Sequence, residues 1–338
     1  MWAHADAVHY RKLAELGYHD YIENGQHLFL VFFPLYPWVV RLANSVVGNY
    51  DLCGHIVSSV AYIGGCYMLA RLVTEDFSWR TARISLFLLS DYPFSFFFAA
   101  YYTESLFLFL SVTTFYFIRK HQYWIAGIIG ALASLTRMQG VLLLFVAFVE
   151  YYISDLPFQK MKAHNWRGLW NDVWKKLLPA SLMLIGIGVY LWLNYDVEGD
   201  PLRFTVYQRE HWSQYFVPLP NCLNTILKSI KTYGSAKFLC TIWAPEIVIF
   251  ALSLGYMLYA ARWMQLTWAA YFLACVVLNY SLNWPLSCGR YMACTFPLFT
   301  SIAVASEKKP IVGQTAAVVF SIFQGAYLFS FLYSGSVF

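Results

Sequence analysis

The sequence predicts an all-α polytopic membrane protein, a helical bundle of about ten spans, and three observations carry that prediction. Hydrophobic residues make up 59% of the 338 and charged residues only 12%, whereas a soluble domain carries about 25% charged residues. Apolar stretches near bilayer length follow one another from residue 52 onward, separated by polar connectors. The basic residues divide unevenly among those connectors, which gives the bundle an orientation.

The first segment, residues 1–51, is polar at its start and is expected to lie outside the membrane. No basic region leads an apolar core to a cleavage site, so it is not a signal peptide. Asp6, His9 and Tyr10 fall at i, i+3 and i+4, on one face that Leu13 and Leu16–Gly17 continue. That spacing predicts a short amphipathic helix at the membrane surface. VFFPLYPWVVR (31–41) carries prolines at 34 and 37, and neither suits a helix interior. It reads either as a re-entrant or interfacial turn or as the lipid-contacting edge of a site.

Spans are expected at 52–73, 83–99, 103–118, 124–136, 139–153 and 177–195, making a first bundle over 52–195. A long external loop follows at 196–238. Spans at 239–260, 265–283, 291–305 and 311–334 then form the C-terminal membrane region, 239–338. Ten spans sort the connectors into two alternating sets. RLVTEDFSWRTAR, RKHQ, QKMKAHNWRGLWNDVWKK, AARW and SEKKP hold more than half of the 23 Lys and Arg, and by the positive-inside rule they are cytoplasmic. The other set is external: residues 1–50, YYTES at 101–105, TRMQG at 136–140, the 196–238 loop and LNWPLSCGRY at 282–291. The polar peculiarities of the chain therefore gather on one face.

Some classes fall away. The net charge of +5 has no basic stripe behind it, so nucleic acid is not an expected partner. The seven cysteines form no CxxC and mostly sit in apolar runs, as small buried hydrophobes do. His4, His9 and His211 lack HxxxH or HExxH spacing, so no metal is expected. No inverted pair of broken helices is visible, which weighs against a secondary transporter.

Each candidate residue has a structural and a functional reading. Asp6 is an ordinary helix cap, or a carboxylate that takes a proton from an acceptor hydroxyl. Glu104 gains from the helix dipole in a first turn, with Thr103 or Tyr102 as cap; an acid one turn into a span is also costly and marks function. Arg137 and Arg290, at outer helix boundaries, snorkel to headgroups or bind a phosphate. Two outward arginines, where the orientation rule puts fewer basic residues, favour anion binding. Asp91 in LLSDYPFSFFF is an intramembrane acid beside Pro93, read as functional or as a structural pair. GDPLRFTVYQREHW (199–212) reads as a folded external loop over a cleft. His9, Tyr10, Tyr102, Gln139 and Tyr291 flank the charges and complete the candidate binding set.

Taken together, these residues resemble a known family. HADAVHYRKLAELGY (4–18) is similar to the W-D-x-x-H-Y-x-x-I-A-x-x-G-Y opening of glycosyltransferase-C enzymes of the GPI mannosyltransferase 2 (PIG-V) type, and specifically of their bacterial relatives. VFFPLYP, YPFSFFF, YYTESLF, LTRMQG, GDPLRF with the following Trp212, and GRYMACTFPLF are similar to that family in the same order, over nearly the whole chain. The resemblance implies a non-Rossmann multispan fold with its site on the extracytoplasmic face of the bacterial plasma membrane. It implies inverting transfer of a hexose, usually mannose, from a polyprenyl-phosphate sugar to a glycan or glycolipid acceptor, among membrane lipids and with no cofactor. In such enzymes an Asp in the first external loop is the base; carried onto this chain it is Asp6. Glu104 and Arg137 lie in matching motifs, and Arg290 in the motif expected near the donor phosphate. The family's Trp before that Asp is absent: position 5 is Ala, with Trp2 earlier. The family also carries a membrane helix before this opening, so an upstream start is expected. A GPI acceptor is not.

Two rival readings stand beside this one, a lipid or solute transporter and a catalytically inactive membrane scaffold. An enzyme requires Asp6, Glu104, Arg137 and Arg290 to converge on one external cleft; the rivals leave them scattered around the rim.

Overall fold

Backbone groups in an apolar stretch have no water to bond, so each stretch closes its own hydrogen bonds as a helix. The computed structural model describes residues 6–233, 239–283 and 286–334 and is helical throughout; its β-type contacts among those residues are isolated bridges, Glu23–Gln26 and Phe216–Leu282. Trp2 and His4 lie outside the described residues. In chain order, α1 (Asp6–Glu15) and α2 (Leu35–Val47) precede α3 (Tyr50–Asp76), α4 (Trp79–Asp91), α5 (Glu104–Arg119), α6 (Tyr123–Thr136), α7 (Met138–Asp155) and α8 (Trp166–Glu198). α9 (Arg203–Trp212) and α10 (Leu219–Tyr233) fold the long loop; α11 (Ala244–Ala260), α12 (Leu266–Asn279), α13 (Cys288–Met292), α14 (Phe296–Lys308) and α15 (Pro310–Ser334) follow.

The protein is an all-α polytopic membrane protein. Its ten expected spans fall on α3 to α8, α11, α12, α14 and α15, but several are shorter than expected. By length and composition α3, α7, α8 and α15 suffice to cross a bilayer; α6, α11 and α12 are apolar but shorter. The expected span 83–99 breaks at Asp91. Pro93 offers no N–H and clashes with the preceding turn, Tyr92 before it turns extended (φ −60°, ψ 141°), and the chain resumes as a 3₁₀ turn at Ser95–Phe98. The expected span 291–305 likewise splits into α13 and α14, with Pro297 in the first turn of α14. Irregular backbone at membrane depth has to be covered by protein, and Ser95, Phe96, Phe97 and Phe98 are all buried.

Pro34 and Pro37 start a helix where a turn was one reading: Pro34 is the N-cap of α2 and Pro37 lies in its first turn, where a missing N–H is not needed. α1 buries Ala7, Tyr10, Leu13 and Ala14. Leu16 and Gly17 do not continue that face. Leu16 is exposed and Gly17, at φ +94°, leaves the helix. α1 is nonetheless anchored. Arg41 of α2 donates to the carbonyls of Ala14 (2.7 Å) and Glu15 (3.2 Å), which have no partner within the helix, and Arg11 pairs with Asp51 of α3 at 3.0 Å.

Where α6 and α8 cross, small residues let the backbones touch. A Cβ at Gly186 would lie 2.0 Å from the Ala131 carbonyl oxygen, and one at Gly127 2.0 Å from that of Pro179. Asp91 is held in a structural pair, accepting from the Ser321 hydroxyl of α15 at 2.7 and 2.8 Å. The far end of α5 carries a second charge cluster. Arg119 donates to Asp76 (2.8 Å) and Glu150 (2.7 Å), while Trp268 and Thr267 donate to the same two carboxylates. Arg119→Ala would strand two buried carboxylates and is expected to lower the stability of the detergent-solubilised protein by about 3 kcal/mol, read from its unfolding midpoint.

Candidate functional site

Four charged residues from four distant segments meet at the end of the bundle where the helices break. Glu104 is the first residue of α5, at the opposite end from Arg119, about 22 Å away at 1.5 Å per residue. Its Oε1 accepts an ion pair from Arg137 (2.9 Å), just past α6, and another from Arg290 (3.2 Å), in α13. Arg290 also reaches Oδ2 of Asp6 at 3.3 Å. Asp6 is the first residue of α1, where the helix dipole favours a carboxylate. The result is a chain of alternating charge, Asp6–Arg290–Glu104–Arg137. The four residues converge and do not scatter.

Burial grades along that chain. The Glu104 side chain is 1% exposed, Arg290 10% and Arg137 11%, while Asp6 is 30% exposed at the open end. A guanidinium out of water needs both counter-charge and cover. The cover is aromatic: Arg290 lies over the rings of Phe97 (5.1 Å), Tyr102 (5.4 Å) and Tyr291 (5.4 Å), and Arg137 over Tyr291 at 4.8 Å. Thr103, expected as a helix cap, makes no side-chain cap; its hydroxyl accepts from Arg137 at 3.2 Å. The Glu104 Oε2 is buried and has no hydrogen-bond partner among the described residues.

The remaining candidates divide. Tyr102 covers Arg290, and Tyr291 meets both arginines. Tyr10 packs edge-on against Phe32 and Tyr36 and near Tyr102; burial, and then the Glu104 carboxylate, pushes its hydroxyl well above the ordinary value. His9 turns to a neighbouring aromatic wall. It stacks on Phe29 at 4.0 Å and its Nδ1 bonds the Tyr21 hydroxyl at 2.8 Å; burial lowers its pKa, with Asp6 opposing. Gln139 donates to Asn279 of α12 at 3.3 Å and so ties α7 to α12. The 199–212 loop is folded: Tyr207 donates to Glu198, and Trp212 meets Phe29 edge-on. Among the described residues no cluster of three or more His, Cys, Asp or Glu is placed to hold a metal ion.

The candidate set omitted three groups beside these charges. Phe97 carried no signal beyond its place in YPFSFFF. Thr103 was noted only as a cap. Glu246, in the first turn of α11, lies inside the expected span 239–260, where an acid is costly.

Comparisons with known proteins agree on this architecture. The family described as dolichyl-phosphate-mannose-protein mannosyltransferase matches residues 33–191, just under half of the chain. No curated protein matches the sequence. Among solved structures, ArnT from Cupriavidus metallidurans bound to undecaprenyl phosphate superposes with a TM-score of 0.58 at 15% identity, over 96% of this chain and 59% of that one. The same protein in its apo state gives 0.58 at 15%, over 96% and 58%. An Archaeoglobus fulgidus oligosaccharyltransferase in complex with Zn and sulfate gives 0.52 at 14%, over 96% and 49%. The chain thus spans less than two thirds of the structures it resembles. At these identities what is shared is the fold.

Removing the two acids should have unequal effects. Glu104→Ala leaves buried Arg137 without its counter-charge and Arg290 with Asp6 alone, and is expected to lower stability by about 3 kcal/mol. Asp6→Asn, at the exposed end, should cost less than about 1 kcal/mol. Parallel melts of the two variants check the difference.

Proposed function

We propose that this protein is a membrane glycosyltransferase that moves a hexose, with mannose the first choice, from a polyprenyl-phosphate sugar to an acceptor hydroxyl. The acceptor is a glycan or glycolipid, and the work is done on the extracytoplasmic face of a bacterial plasma membrane. The observation that carries the reading is the Asp6–Arg290–Glu104–Arg137 chain: a partly exposed carboxylate beside two buried guanidiniums. The family match, described by a dolichyl-phosphate-mannose activity, supports the sugar and donor class. The ArnT structure bound to undecaprenyl phosphate supports a polyprenyl phosphate as the lipid. The bacterial PIG-V type is the branch whose motifs the sequence follows.

In this reading Asp6 takes the proton of the acceptor hydroxyl while its oxygen attacks the anomeric carbon. The bond from that carbon to the phosphate oxygen breaks, and the electron pair leaves on the polyprenyl phosphate. Direct displacement inverts the anomer, so a β-linked donor gives an α product. Arg137 and Arg290 meet the charge that grows on the leaving phosphate, held ready by Glu104 and by the rings around them. Arg290 is shared between Asp6 and Glu104. A donor phosphate entering beside Arg290 displaces Asp6 from it and frees the carboxylate to accept a proton. Tyr102 and Tyr291 shape the donor side; His9 and Tyr10 stand on the acceptor side next to Asp6, and Gln139 steadies the donor wall. The reading includes no metal.

The test is transfer from labelled polyprenyl-phosphate mannose in membranes holding the full chain. Asp6→Asn is expected to lower the rate by about 10²-fold or more, and transfer at the unaltered rate rules Asp6 out as the base. Arg137→Ala is expected to raise the donor concentration for half-maximal rate by about tenfold; an unchanged value removes its phosphate role.

A further inference from the structure

Glu246 is a buried carboxylate that the proposed reaction does not use. It lies in the first turn of α11 and is 2% exposed. Both of its oxygens accept from one donor, the backbone N–H of Gly289, at 3.0 and 2.9 Å. The carbonyl of the same residue accepts from the Tyr92 hydroxyl at 2.8 Å. Gly289 is thus held from both sides, and the next residue is Arg290.

The arrangement answers a local need. α13 is a five-residue helix, and the first N–H groups of any helix lack partners. Ser287, at its N-cap position, makes no side-chain cap. A carboxylate from α11 does that work, and Tyr92, freed from helical geometry by Pro93, reaches the other side. The seat is tight: a Cβ at residue 289 would come within 2.9 Å of Phe94 and 3.0 Å of Ile249. A guanidinium that must meet a phosphate gains from a fixed main chain, because donor geometry set beforehand needs no reorganisation on binding.

We propose that Glu246 and Tyr92 are positioning residues for Arg290, clamping the Gly289 main chain so that the guanidinium stands where a donor phosphate meets it. The inference rests on reading Arg290 as a phosphate-binding group. Neither residue touches the donor; both act through Arg290.

Binding of a polyprenyl phosphate to the purified full chain tests this, with melting midpoints taken alongside. Arg290→Ala and Glu246→Ala are each expected to weaken binding by about tenfold, and Tyr92→Phe, which removes only the hydroxyl, by about threefold. Glu246→Gln keeps an acceptor oxygen and should bind within about twofold of the unaltered protein. The decisive comparison is the double variant Glu246→Ala/Arg290→Ala, expected to bind no more weakly than Arg290→Ala alone. If the two losses multiply, Glu246 does not act through Arg290 and the proposal falls. It also falls if Arg290→Ala weakens binding while Glu246→Ala and Tyr92→Phe do not. Unchanged binding in Arg290→Ala overturns the phosphate reading itself, and the clamp with it. Should Glu246→Ala fail to fold, Tyr92→Phe, alone and combined with Arg290→Ala, carries the same comparison.

Discussion

One carboxylate oxygen holds the site end of this protein together. Oε1 of Glu104 takes both Arg137 and Arg290, at 2.9 and 3.2 Å, where almost no water reaches. Guanidiniums buried in an apolar bundle are tolerable only with counter-charge and hydrogen bonds. Three segments far apart in the chain, the start of α5, the end of α6 and the short α13, are therefore obliged to meet. The aromatic rings over the arginines follow from the same need, since they cover a cation on the faces that no carboxylate reaches. Asp6 joins by its contact with Arg290, and it alone of the four is substantially open.

The backbone around that cluster is irregular for a related reason. Pro93 and Pro297 break two apolar runs at this end, and what replaces the helices is a buried 3₁₀ turn and the five-residue α13. An unbroken helix at either place would carry these residues away along its axis. Shortened helices expose main-chain groups, and side chains satisfy them: Glu246 and Tyr92 at Gly289, and Arg41 at the end of α1. At the other end the helices run out into basic connectors, and the buried charges there, Arg119 with Asp76 and Glu150, close on one another. One end of the bundle is sealed by its ion pairs; the other ends in a partly open carboxylate.

Much of this was legible beforehand. Spacing placed Asp6, His9 and Tyr10 on a helix, apolar length placed the spans, and the basic connectors sorted Asp6, Glu104, Arg137 and Arg290 onto one side. Span ends were harder to read. Pro93 was visible, but hydropathy alone does not say whether a proline kinks a run or ends it, and here it ends α4. The two readings of Asp91 were separable only by its neighbour: Ser321 lies on α15, more than two hundred residues later. Glu246 lies within the expected span 239–260, and an acid inside an apolar run does not by itself reveal what it faces.

The sequence by itself determined the class of protein, the order of its helices and the side on which its unusual charges lie, because these depend on composition and period, which are local. The tertiary structure decided which charges touch. Asp6 and Arg290 stand at opposite ends of the chain, and their 3.3 Å contact joins α1, whose end is held by Arg41, to α13, whose Gly289 N–H is held by Glu246. Such pairings are set by packing between segments distant in sequence, and no run of neighbouring residues records them.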